Sequence, residues 1–253
     1  MSVQNGEWIM HGLAWDDPDR IKSVEELEEA VERLGFLPLF AGDIAGFSVE
    51  EMTSPKYWWS GALEHDPWEW RELVAGRHRV AYGKFFDGKA GFISLQWLPR
   101  FVNYRRGGYD FDARWDDGRA SRREKKIMDF FISVERDGSL TFSQENILST
   151  DLKKKAGFGK GGEKNYSGIM SGLQSQMYLV TSDFKHRKNK KGETYGMAVS
   201  IPLPPESLWG YDAVTSAYTE EPQESAARIR EHILDMFPEA GEKAVNVIIG
   251  KMG

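Results

Sequence analysis

The chain has 253 residues, enough to bury a core without staples, and its 40% hydrophobic content with a mean hydropathy of −0.52 describes a folded rather than a disordered protein. It contains no Cys, which excludes disulfides, thiolate nucleophiles and Cys-ligated zinc. The formal charge of −6 conceals a division: of the 33 Lys/Arg and 39 Asp/Glu, residues 100–200 hold 20 and 13, leaving 13 and 26 elsewhere, so a basic middle that suits an anion sits in an acidic scaffold.

His11, His65, His78, His186 and His232 form no HExxH or HxH pair, so no metal and no other cofactor is expected. No apolar run approaches the ~18 residues needed to span a bilayer. The opening MSVQNGEWIMHGLAWDDPD lacks the basic start and long apolar stretch of a secretory signal, so the expected location is the cytoplasm, with no membrane partner.

In chain order, SVEELEEAVERLGF predicts a helix with Ser23 as N-cap, Glu26 as its capping-box partner, an apolar face of Leu27, Ala30, Val31 and Leu34, and Gly35 as terminator. A segment with Trp58, Trp59, Trp68 and Trp70 follows without a sustained period; it reads as an irregular core or as the wall of an aromatic pocket. VAYGKFFDGKAGFISLQW predicts two strands around an Asp87-Gly88 hairpin turn. SRREKKIMDFFISVER predicts a helix with a Ser121/Glu124 capping box, a face of Ile127, Phe130, Phe131 and Val134, and an end at Asp137-Gly138. A second short helix opens at Ser149 and closes at Gly157, and a third lies near NYSGIMSGLQSQ. MYLVTSDF and YGMAVSIPL then flank a basic tip, making residues 177–203 a long hairpin. The tail, PQESAARIREHILDMF and EKAVNVIIGKM, predicts two helices that cap the core.

Three helices followed by a hairpin is the order of a winged helix, in which the hairpin reaches alongside nucleic-acid phosphates. The expected fold is therefore α+β: a central winged-helix element with small antiparallel sheets and flanking N- and C-terminal helices. Its expected divisions are 1–120, a mixed α/β region; 121–203, the winged-helix-like region; and 204–253, a helical cap.

The chemistry-bearing candidates follow from that order. KHRKNKK, residues 185–191, packs five Lys/Arg and one His into seven positions. Lys185, Arg187, Lys188, Lys190 and Lys191 at the tip, with Lys153, Lys154 and Lys155 on the second helix and Lys160 and Lys164 in the following loop, would face a phosphate backbone if the winged helix forms. GFGKGGEK fails the GxxxxGK[ST] spacing of a phosphate loop and reads as a helix connection. NYRRGGYDFDARWDDGR interleaves Tyr104, Tyr109, Phe111 and Trp115 with Arg105, Arg106 and Arg114, a pattern that suits base stacking and phosphate contact, or equally an internal cation–π cluster. Asp110 and Asp112, at strand spacing, would point the same way and could serve as a general base, or could pair with the neighbouring arginines. Gln174 and Gln176 would project together from extended backbone and orient a water or a base edge, whereas in a helix they diverge by about 200°.

DPWEWRE, VAYGKFF..KAGFIS, NYRRGGYDFDARWDDG, GLQSQMYLVTSDF and VTSAY resemble the AlkZ-related bacterial proteins, relatives by name of the AlkZ and YcaQ winged-helix DNA glycosylases, over roughly residues 24–245. The resemblance implies a winged-helix element, duplex DNA as partner and a link to base excision. AlkZ enzymes carry a Gln-x-Gln or Gln-x-Asp pair that acts on the water attacking the sugar; here Gln174-Ser175-Gln176 spells such a pair, with Ser where that family has an apolar residue. The functional expectation is a DNA-binding winged-helix protein acting as a glycosylase on a modified base. Its alternative is a non-enzymatic transcription regulator or protein-interaction module.

Overall fold

The computed structural model describes residues 2–4, 7–189 and 191–253. Strands β1 (Ser2–Gln4) and β2 (Glu7–Ile9) pair as a hairpin ahead of helix α1 (Val24–Leu34). The Ser23 side chain accepts the Glu26 N–H, as expected of an N-cap, but the Glu26 carboxylate takes the Lys22 N–H at 2.7 Å, so the reciprocal half of the box is displaced by one residue. Val24, Leu27, Ala30 and Val31 are buried, and Gly35 ends the helix at φ 83°. A side chain there would be strained by φ and would place its Cβ 2.6 Å from the Trp97 ring.

Strand β3 (Phe36–Pro38), helices α2 (Val49–Met52) and α3 (Pro67–Arg77), and strands β4 (Val80–Phe86) and β5 (Lys89–Ser94) follow. The sheet runs β3-β5-β4, antiparallel throughout, and the β4–β5 turn is Asp87-Gly88 with φ 52° and 73°. Trp58 and Trp70 are buried in the core beside this sheet, whereas Trp59 is exposed. The Asp66 carboxylate organises the Trp-rich loop by accepting the N–H groups of Trp59, Gly61 and Trp68.

After α4 (Leu98–Arg106) and α5 (Phe111–Asp116) comes the central unit: α6 (Arg122–Met128), hairpin β6 (Ile132–Val134) and β7 (Leu140–Phe142), α7 (Ser149–Lys155), α8 (Tyr166–Ser175), and hairpin β8 (Val180–Lys188) and β9 (Thr194–Leu203). The unit has three helices and a closing hairpin, with the β6–β7 hairpin inserted after the first helix, and the α+β class holds. The Ser121/Glu124 capping box forms in full. The helix it opens is shorter than the apolar spacing predicts: it stops at Met128, and Ile132-Ser133-Val134 pairs with Leu140–Phe142 across Asp137-Gly138. Phe131 is buried as a helical face requires, but β-branched Ile132 and Val134 suit a pleat, and Val134 is left 58% exposed. The next helix is preceded by Leu148, with Ser149 already in its first turn rather than at the N-cap.

Helices α9 (Pro205–Trp209), α10 (Tyr211–Val214), α11 (Pro222–Met236) and α12 (Glu242–Ile249) complete the chain. Ile229 and Ile233 of α11 and Val245, Ile248 and Ile249 of α12 join Phe36, Phe92, Phe101 and Trp70 in one core. A second core holds Ile127, Met128, Phe131, Leu152, Phe158, Met170 and Leu173. Residues 177–180 stitch the two together: Met177 and Val180 belong to the first, Tyr178 and Leu179 to the second. Gly35→Ala is expected to cost about 2–3 kcal/mol of stability in urea unfolding.

Candidate nucleic-acid interface

Leu152 and Ala156 anchor α7 in the second core and turn Lys153, Lys154 and Lys155 outward. Across from them runs the β8–β9 hairpin. Strand alternation sends Phe184 inward, against the Tyr82 ring and the Arg71 guanidinium, and Lys185 and Arg187 to the opposite face. Between α7 and the hairpin lies a groove of about 860 Å³ with Leu148 and Phe158 on its wall. Lys153, Lys154, Lys185, Arg187, Lys188 and the exposed Tyr195 line it.

The two basic clusters thus meet on one surface. Lys154 also touches Asp151 at 3.4 Å, whereas Lys153, Lys185, Arg187 and Lys188 make no ion pair among the described residues. Lys155 lies outside the groove and near Glu145, at 3.7 Å. Lys160, Lys164 and Lys191 are exposed without lining the groove, and Lys190 lies outside the described residues. The glycine loop before α8 spends its amides internally: Gly159 N–H donates to Glu163 O, Gly162 N–H to Gly159 O and Glu163 N–H to Gly157 O. Arg123 and Lys126 pin Glu163 to α6, so the loop is a connection and not an anion cradle.

Helix α8 offers the short Ser167 and Gly168 as exposed residues of its first turn. Its C-terminal end is covered by β4: Ser175 Oγ donates to Lys84 O at 3.0 Å and Gln174 Oε1 accepts the Lys84 N–H at 2.7 Å.

Arg105 and Arg106 do not reach this surface; both are buried. The Arg105 guanidinium donates to the backbone oxygens of Phe85, Ser175, Ile248 and Ile249, with the Phe101 ring 4.8 Å beneath it. Burial pushes it down to about 9, still well above neutrality, so it stays charged with carbonyls in place of a counter-ion. Arg106 pairs with the equally buried Glu206 and donates to Met177 O at 2.7 Å. Burial works against its charge, but the Glu206 carboxylate prevails and holds it above the ordinary range. The buried arginines of this run make internal cation–π contacts, but with rings from elsewhere: Arg106 lies 4.8 Å and Arg114 5.6 Å from the Tyr178 ring, whereas the exposed Arg119 lies 4.7 Å from that of Tyr109.

Asp110 and Asp112 sit at the start of a helix and not in a strand, so they do not point together. Asp110 accepts from Tyr211 Oη at 2.6 Å and Tyr218 Oη at 3.2 Å, beside Arg106. Burial, followed by that bond to Asp110, pushes the Tyr211 hydroxyl up to about 12. Asp112 faces a separate small cavity with Trp115, Lys125 and Met128. Gln174 and Gln176 diverge likewise, one in the last turn of α8 and the other at its C-cap. Gln174 is buried against β4. Gln176 lines a cleft of about 1030 Å³ with Tyr104, Ser175, Lys243 and Asn246, and its Oε1 is buried without a hydrogen-bond partner among the described residues.

An α+β fold with a basic groove between a helix and a long hairpin, in a chain of net negative charge, defines the class of this protein. The chain belongs to the AlkZ-related family, which matches residues 21–250. No curated protein and no solved structure matches it. No helix among the described residues is long and apolar enough to cross a membrane.

Glu206 is the buried partner of Arg106 that sequence reasoning missed, since nothing in PPESLW marks its carboxylate as buried. Arg105→Lys keeps a charge but cannot span four carbonyls, and should lower stability by about 2–4 kcal/mol in urea unfolding.

Proposed function

We propose that the protein binds duplex DNA through its phosphate backbone, using the groove between α7 and the β8–β9 hairpin. The observation that carries this reading is the meeting of Lys153 and Lys154 from one element with Lys185, Arg187 and Lys188 from another. Cations on two walls of a groove suit successive phosphates, and their contacts fix register without reading sequence. The short side chains on the open turn of α8 offer little to base edges, which favours binding of low sequence specificity. The acidic remainder of the chain repels phosphate elsewhere on the surface and so confines contact to this face.

The binding constant should fall with salt by roughly the 0.9 power per phosphate neutralised. Replacing Lys185, Arg187 and Lys188 by Glu together should abolish binding, while Lys22→Glu, on the acidic scaffold, leaves it intact. Fluorescence anisotropy with a labelled duplex across a salt series reads both; an affinity indifferent to the triple change would remove the proposal.

Gln176 favours a second reading, base excision. Gln176 lines a cleft and its carboxamide oxygen is buried without a partner among the described residues; a rotation of the side chain that turned this oxygen into the cleft would let it accept a hydrogen bond from a water and aim that water at the anomeric carbon of an extruded nucleotide. The cleft and the basic groove have no lining residue in common, so binding and excision are separable. With alkylated duplex DNA, the wild type should then yield abasic product and Gln176→Ala should lose it at unchanged affinity. Binding without product identifies a regulator instead, and no binding even at low salt identifies a protein-interaction module.

A further inference from the structure

We propose that Glu69 and Glu72 of α3 and His186 of β8 form a binding site for a divalent transition-metal ion such as Zn²⁺, at the root of the basic hairpin. One oxygen from each carboxylate and one imidazole nitrogen lie within 4.8 Å of one another. His186 Nε2 and Glu72 Oε2 are already 3.1 Å apart. Zinc bonds of about 2.1 Å place tetrahedral ligand atoms about 3.4 Å from each other, so a side-chain adjustment of roughly 1 Å completes the set.

The scaffold is built to present these three groups. Glu69 and Glu72 stand three residues apart and so share a face of α3. On β8, Phe184 and His186 share the other alternation from Lys185 and Arg187, and Phe184 packs over Arg71 of the same helix, at 4.6 Å. The ladder shifts register between Lys185 and Arg187: Lys185 pairs with Val199 but Arg187 with Tyr195, and the surplus lies on β9, where Gly196 takes φ 67°. His186 thus stands opposite a bulge, the device that bends a hairpin and re-aims a side chain.

Glu72 also carries the outer partner that a ligating carboxylate needs. Arg71 Nη2 holds its Oε1 at 2.9 Å, which orients the group and leaves Oε2 free to bind. Arg71 offsets one of the two carboxylate charges, so the site attracts a dication without a surplus of buried negative charge. The imidazole selects a transition metal over Mg²⁺ or Ca²⁺, whose preferred ligands are all oxygen. Three protein ligands leave a position for water. The absence of a local His motif hid this site from the sequence, because His186 comes from a strand that reaches α3 only in the fold.

The test uses the full chain after chelator dialysis, without DNA, so that it stands apart from the binding proposal. Co²⁺ should produce visible ligand-field absorption saturating at one equivalent, and Zn²⁺ should displace it and raise the melting temperature. His186→Ala, and separately Glu69→Gln/Glu72→Gln, should weaken Zn²⁺ binding at least tenfold with unchanged far-UV circular dichroism, whereas His65→Ala should have no effect. Wild-type protein that gives no Co²⁺ spectrum and no Zn²⁺ heat, or binding that survives both changes, overturns the site and leaves a simple His–Glu hydrogen bond.

Discussion

The Arg105 guanidinium is the contact on which the arrangement of this protein turns. Its four carbonyl acceptors belong to three elements far apart in sequence: Phe85 in β4, Ser175 at the end of α8, and Ile248 and Ile249 at the end of α12. The last carbonyls of a helix have no partner within it and carry the negative end of its dipole. Two such ends converge on one cation, which explains how a fully buried charge persists with no carboxylate beside it. The planar fork of arginine suits this task because it donates in several fixed directions at once. Gly250 follows from the same contact: a Cβ there would lie 2.7 Å from Arg105 Nε.

Arg106, one residue on, ties a different set. It joins Glu206 after the hairpin, Met177 O at the entry to β8 and the Tyr218 hydroxyl. Together the two arginines seat the central unit on the rest of the chain from the end of a single helix. The orientation of α8 is a consequence. Its last turn is held over β4 by Ser175 and Gln174, which leaves α7 and the hairpin as the surfaces that project. The proposed phosphate contact therefore falls to cations on α7 and the hairpin, while the exposed first turn of α8 presents small residues.

Local signals were legible wherever local physics decides. The Ser121/Glu124 box and the Asp87-Gly88 turn each form from residues within a few positions of one another, and the basic hairpin from two strands consecutive in the chain. The groove was legible too, because an amphipathic α7 with Leu152 inward must send its lysines outward. What could not be read depends on partners brought from afar. NYRRGG looks like an exposed basic run until α8 and α12 close over it, and Ile132–Val134 continues a helical spacing until Leu140–Phe142 offers it a ladder. Asp110-Phe111-Asp112 alternates like a strand but begins a helix, because Phe111 enters the second core while Tyr211 and Tyr218 claim Asp110. For the glutamines the structure chose the helical alternative, and with it a burial that separates them.

Strand β8 shows how anchoring and contact can coexist on one short element. Phe184 packs toward α3 and Lys185 and Arg187 line the groove, while His186 bonds Glu72 of α3 at the groove's edge and lines it too. A free hairpin would lose much of its binding energy to the ordering of its own backbone, since fixing each residue costs about 1–2 kcal/mol. Here the root is ordered in advance, by packing of Phe184 on Arg71 and by the bond from His186 to Glu72. The groove's cations are thereby held in place in advance, as the proposed phosphate contact requires. Whatever tightens the α3 contact should raise affinity on the opposite face of the strand without adding a single contact there.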